Sequence, residues 1–230
     1  MLNMTGAGVL FVLLLVSSIP VIGVFLWFYL SRYPFSLARF SASLLAGAAS
    51  FFPALFLQGL LARGNVPWAG KWGLIAEIFV RIAFTEELSR LLVLLILFAI
   101  FRRFGHASAE NVSPLTMACT AGLVAGLGFA ILESAVYGAS NPSNALLRAF
   151  TAAPLHGACG FRVGASVAMF RESPVHAIFR FLSAVIIHGI YNFLLLIPGI
   201  LPPVAATLIA LSALASSIVT IRSGLGNKDA

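Results

Sequence analysis

Six ionisable side chains and one amide lie inside long apolar runs of this sequence: Glu86, Glu87, Arg90, Glu133, His156, His188 and Asn192. Carboxylates can take a proton from water. Imidazoles can shuttle it or bind a metal, and imidazole and amide donors can stabilise an oxyanion. Together these are the parts of a peptide-bond hydrolase. An ionised side chain at a bilayer centre costs about 2.5–3.5 kcal/mol on insertion scales, so several are kept together only if they meet. Local spacing favours meeting. Glu87 and Arg90 stand three apart, and Glu86 and Arg90 four apart, so either glutamate can pair with Arg90 on one helix face. His188 and Asn192 are also four apart and share a face, as are Phe129 and Glu133. Glu77 and Arg81 repeat the spacing near a helix end and read as a structural pair. Arg148, also near a helix end, reads as a snorkelling cation.

The elements that must position these groups are membrane helices. The chain has 230 residues, 60% hydrophobic and 9% charged, against about 25% charged in an ordinary soluble domain. Too little polar surface is left to face water, and in lipid only helices or a closed barrel satisfy the backbone. Unbroken apolar runs such as 9–30 and 91–101 favour helices over the alternating pattern of a barrel. The net charge of +7 is dispersed between apolar runs, which argues against a nucleic-acid partner and for a lipid bilayer. Cys119 and Cys159 lie in separate runs and read as packing residues.

A span needs roughly 20 apolar residues. The expectation is an all-α, seven-span, polytopic protein with spans near 7–30, 38–62, 74–101, 115–138, 146–170, 176–197 and 202–221. They form a single transmembrane domain over 1–230, with the catalytic helices within about 74–197. The breaks carry turn chemistry or charge, as at Tyr33-Pro34, Gly64 to Pro67, Gly105 to Pro114, Asn141-Pro142 and Glu172 to Pro174. Eight basic residues (Arg32, Arg39, Arg102, Arg103, Arg171, Arg180, Arg222, Lys228) fall on one side, against Arg63 and Lys71 on the other. That bias predicts an external N-terminus and a cytoplasmic C-terminus, with Trp68 and Trp72 as interfacial anchors.

Depth tests whether the polar groups share a layer. At 1.5 Å per helical residue, Glu86 and Glu87 lie roughly 22–24 Å from Arg102, and Glu133 lies roughly 28 Å from Pro114. His156 lies roughly 22 Å from Arg171, and His188 roughly 21 Å from Pro174. Four separate helices thus bring polar groups to one level. Gly122, Gly126 and Gly128 on one of them, with Gly157, Gly160 and Gly164 on the next, would let two backbones approach closely.

With these residues in order, Glu86-Glu87-Leu-Ser-Arg90, Phe129-Ala-Ile-Leu-Glu133 and His188-Gly-Ile-Tyr-Asn192 resemble the PrsW family of intramembrane proteases. That family is related to the type II CAAX prenyl proteases and to the helical scaffold subunit of gamma-secretase. Arg90 stands where the PrsW pattern often has lysine, and Asn192 ends the third motif as in the CAAX proteases. The resemblance implies hydrolysis of membrane-anchored protein substrates, an anti-sigma factor among the candidates, in a bacterial inner membrane.

The residues themselves suggest roles. Glu86 is the expected base, Glu87 and Arg90 the charge balance, and Glu133 the group that positions water. His188 and Asn192 are expected oxyanion donors, and His156 a shuttle or ligand. Three glutamates facing one arginine leave surplus negative charge, which a proton or a bound cation would neutralise. A zinc set of His156, His188 and Glu133 and a metal-free glutamate mechanism both stand open. Two other functions compete: a non-catalytic scaffold that binds a partner helix, and an ion-coupled transporter, since intramembrane carboxylates also mark ion pathways.

Overall fold

Proline sets where the helices begin. Pro114, Pro142 and Pro174 each occupy the first helical position of a long helix, where the missing N–H costs nothing and the fixed φ suits the turn. In the computed structural model residues 6–63, 70–103, 112–140 and 142–226 are described, and every regular element among them is helical. In chain order these are α1 (Gly6–Ser17), α2 (Ile19–Leu30), α3 (Leu37–Arg63), α4 (Gly70–Ala76), a π-helical segment (Glu77–Phe84), α5 (Thr85–Arg103), α6 (Pro114–Ser140), α7 (Pro142–Met169), α8 (Pro174–Leu195) and α9 (Leu201–Gly226). The break between α8 and α9 turns on Gly199, whose φ of 113° is a backbone that L side chains rarely adopt. Trp68, His106, Asn141, Lys228 and the 64–67 turn lie outside the described residues, as do the side chains of Arg63, Arg102 and Arg103.

The fold is all-α and membrane-embedded, but the seven-span expectation is corrected. Among the described residues four helices are long and apolar enough to cross a membrane: Leu37–Ala62, Pro114–Ala139, Pro174–Leu195 and Leu201–Ser223. A fifth is possible if α1 and α2 count as one broken span, since they meet at a 42° bend. That bend replaces the continuous first span. Pro20 sits in the first turn of α2 and cannot donate into a continuous ladder, and Ser18 turns its hydroxyl back to the Leu14 carbonyl (2.7 Å). The expected third span is interrupted by the π segment and carries Glu77, Arg81, Glu86, Glu87 and Arg90. The expected fifth carries Arg148, His156 and Arg162, so neither qualifies as an apolar span. The orientation drawn from seven crossings falls with that count.

Burial shows how polar helices are tolerated. Of the apolar stretch of α6, 78% is buried, against 22–28% in α3, α8 and α9. α6 is therefore the axis of the bundle, and the other three turn apolar faces outward to lipid. Along the seam between α6 and α7 there is no room for side chains. A Cβ on Gly126 would overlap the carbonyl oxygen of His156, one on Gly122 that of Gly160, and one on Gly164 that of Ala118. Gly47 of α3 meets Ala125, and Gly128 meets Leu44, in the same way on the other side of α6. The glycines read as packing residues from the sequence are packing residues. Cys119 and Cys159 are free and buried.

Candidate active site

The π segment delivers the two adjacent glutamates. Its wider turn changes the angular phase of the helix, and such turns recur at functional sites. It ends at Phe84, where Thr85 donates its hydroxyl back to the carbonyls of Arg81 (2.6 Å) and Ile82 (3.0 Å). Glu86 and Glu87 follow in the first turn of α5, 4% and 0% exposed. α6 supplies Phe129 and Glu133, α7 supplies Arg148 and His156, and α8 supplies His188. The sequence positions span more than a hundred residues, so only the bundle brings these groups together.

Glu87 is committed at both oxygens. Arg90 donates to its Oε2 in a fully buried ion pair, and its Oε1 lies 2.8 Å from His188 Nδ1. The guanidinium also donates to His156 Nδ1 (3.3 Å) and lies over the Phe129 ring, 4.8 Å from its centroid. Glu133 accepts from Arg148 and from His156 Nε2 (2.7 Å) through the same oxygen. The rings of His156 and His188 meet edge to face at 5.0 Å. Glu86 differs from the other two carboxylates. Gln58 donates to its Oε1 (3.0 Å), while its buried Oε2 has no hydrogen-bond partner and stands 3.6 Å from His188 Nε2.

The structure therefore brings Glu86, Glu87, Arg90, Glu133, His156 and His188 into one network. Asn192 is half-buried and joins none of these hydrogen bonds. Two members were not read from the sequence. Arg148, taken as snorkelling, is half of a partly buried pair with Glu133 and lies 4.2 Å from the Tyr137 ring centroid. The register that brings Arg148 to Glu133 appears only in the fold, where α6 and α7 pair Ala118 with Gly164, Gly122 with Gly160 and Gly126 with His156. Gln58, a lone amide in the apolar α3, carried the same warning as the glutamates, more weakly. Arg162, by contrast, caps the Ala158 carbonyl (2.9 Å) and stays out of the network, and Glu77 and Arg81 pair with each other as expected.

The donor set fits a metal ion. Glu86, His156 and His188 each offer a ligand atom within 4.8 Å of the others, all buried. The orphaned Glu86 Oε2 lacks the partner that a buried polar oxygen requires. A neutral His188 that donates from Nδ1 to Glu87 keeps its lone pair at Nε2, the arrangement in which a carboxylate orients a metal-binding imidazole. His156 is engaged at both nitrogens and would exchange one partner on ligation. Glu86 is the carboxylate grouped with the two histidines here, whereas Glu133, the carboxylate of the expected zinc set, is engaged by Arg148 and His156.

These features define a helical membrane protein with a buried carboxylate–imidazole centre able to hold a metal. Residues 36–219 match the PrsW family of intramembrane metalloproteases, and the chain belongs to that family. Neither a curated protein nor a solved structure matches it. Family and centre together make this chain an intramembrane protease that acts on membrane proteins.

Proposed function

We propose that Glu86 is the pivot of metal-assisted hydrolysis, and that Glu86, His156 and His188 are the residues that would hold the ion. The observation that carries this is the unpartnered Oε2 of Glu86 beside His188 Nε2. Bound there, a divalent cation would supply Lewis acidity to a scissile carbonyl and acidify water. Glu87 orients His188 and balances Arg90, and takes no proton in turnover because both its oxygens are occupied. Glu133 lines a cavity beside Glu86 and is the carboxylate left to receive the proton of the attacking water. Arg148 fixes its position, and Glu133 returns that proton to the leaving amine, while His156, which would be held on the ion, hydrogen-bonds Glu133. Asn192, outside the network at rest, donates to the oxyanion once substrate is seated. Catalytic hydrogen bonds of this kind often tighten only with substrate bound.

A second reading keeps Glu86 as the base of a metal-free reaction, and the same free oxygen supports it. Metal content and proteolysis measured on the same variants separate the two. Under the metal reading Glu86→Gln loses both bound metal and cleavage of a membrane-anchored substrate, while Glu133→Gln keeps the metal and loses cleavage. If Glu86→Gln abolishes cleavage in a protein that never carried stoichiometric metal, the base reading replaces it. Retained cleavage in both variants removes the assignment altogether. The finer substrate reading is a bacterial anti-sigma factor anchored in the inner membrane, supported by the motif resemblance. Loss of its cleavage in cells lacking this protein tests that.

A further inference from the structure

Beside the unpartnered oxygen of Glu86 is a cavity of about 140 Å³ between α3 and α6, lined by Phe51, Ala54, Leu55, Phe129, Val136 and Tyr137, with Gln58, Glu86 and Glu133 as its polar wall. Phe51, Ala54 and Phe129 are buried, whereas Leu55, Val136 and Tyr137 are about half exposed. The cavity is thus a recess that opens past apolar, half-exposed residues, with the buried carboxylates Glu86 and Glu133 on its wall. We infer that this recess is the substrate's side-chain subsite, and that it selects one aliphatic residue, from alanine to leucine in size, beside the bond to be cut.

Three observations support this, and all rest on the reading that Glu86 is at the reacting centre. The first is size. A cavity near 150 Å³ accepts a benzene-sized group, so one leucine fits, while an indole or a folded segment does not. The second is polarity. Most of the surface is apolar, which suits a residue drawn from a transmembrane helix. The two lining carboxylates disfavour an acidic side chain, which would be desolvated beside like charge. The third is Gln58. Its amide holds Glu86 Oε1 from the α3 wall of the recess, so the element that shapes the subsite also aims the carboxylate. A residue seated there places its peptide bond against Glu86 and Glu133.

The test uses the full-length protein in detergent with a panel of membrane-protein fragments, the cut sites being mapped by mass spectrometry. Wild type is expected to place Ala, Val or Leu at one fixed position flanking the cut. Leu55→Ala, which widens the mouth, shifts that preference towards Phe and Met. Val136→Trp, at a position that tolerates bulk, narrows it to Ala, with about tenfold or greater loss for each methylene that no longer fits. The loss falls in kcat/KM while bound metal is unchanged. An identical preference in all three proteins overturns the subsite and leaves the protease reading intact. An Ala/Leu transmembrane peptide carrying photo-leucine gives a readout that needs no turnover. Labelling of residues 51–55 and 129–137 supports the subsite even if the fragments are not cut. Labelling elsewhere overturns it. Cleavage that persists in Glu86→Gln instead removes the catalytic reading on which the subsite rests.

Discussion

Glu86 and Glu87 are neighbours of one chemical type with opposite circumstances. Glu87 is fully buried and neutralised, and its removal from water is offset by Arg90 and His188. Breaking a buried pair on one side costs about 3–5 kcal/mol because the other charge is left uncompensated. Arg90→Met should therefore lower the thermal midpoint in detergent sharply. Arg90→Met with Glu87→Leu should recover most of that stability and none of the activity, since His188 then has no orienting carboxylate. If the single and double variants unfold alike, the pair does not hold the site together. Arg90 also bridges to His156 and packs on Phe129, so it ties three helices at one point. The motif spacing allowed Arg90 to pair with either glutamate. In the structure Arg90 pairs with Glu87, while Glu86 accepts from Gln58 of α3.

At the scale of elements, the contact of α6 with α7 sets the depth of the whole site. A glycine in a helix interior ordinarily gives up to about 1 kcal/mol when replaced by alanine. At Gly126 the sign should reverse. The added methyl meets the His156 carbonyl, and overpacking costs about 1–3 kcal/mol while pushing His156 away from Glu133. Gly23 of α2 has nothing within 4 Å of the same methyl, so Gly23→Ala should be neutral or mildly stabilising. Thermal unfolding of the two variants side by side checks the claim, and a Gly126→Ala protein as stable as wild type would refute it. The small-residue spacing on these helices announced a close approach in the sequence itself. Which carbonyl each glycine would meet depends on hairpin register, which became legible only once the two helices were paired.

For the molecule as a whole, the site is shared between α5 and α7, which are too polar to pass as membrane spans, and α6 and α8, which qualify. A ligand that binds only the folded state stabilises it by mass action, by about 2.7 kcal/mol at a hundredfold excess over its Kd. Zinc or a similar divalent ion should therefore raise the unfolding temperature of the wild type. Glu86→Gln and His188→Ala should abolish that rise, and Asn192→Ala should leave it in place. A wild-type protein whose stability ignores every divalent ion tested would favour the metal-free reading.

The sequence by itself determined the class of this protein. So many apolar residues with so few charges can be solvated only by lipid, and carboxylates and imidazoles within them persist only if they converge. It also determined most of the site, because burial of charge is costly enough that each such residue marks itself. The tertiary structure decided three things: that among the described residues four or at most five helices qualify as spans, that Arg148 and Gln58 complete the network, and that Glu86 lies beside His188 while Glu133 lies beside His156. The reason is geometric. Hydropathy along a chain measures what a helix is made of. Whether a polar helix faces lipid or is wrapped by its neighbours, and which oxygen is left without a partner, depends on relative rotation and register among helices far apart in sequence.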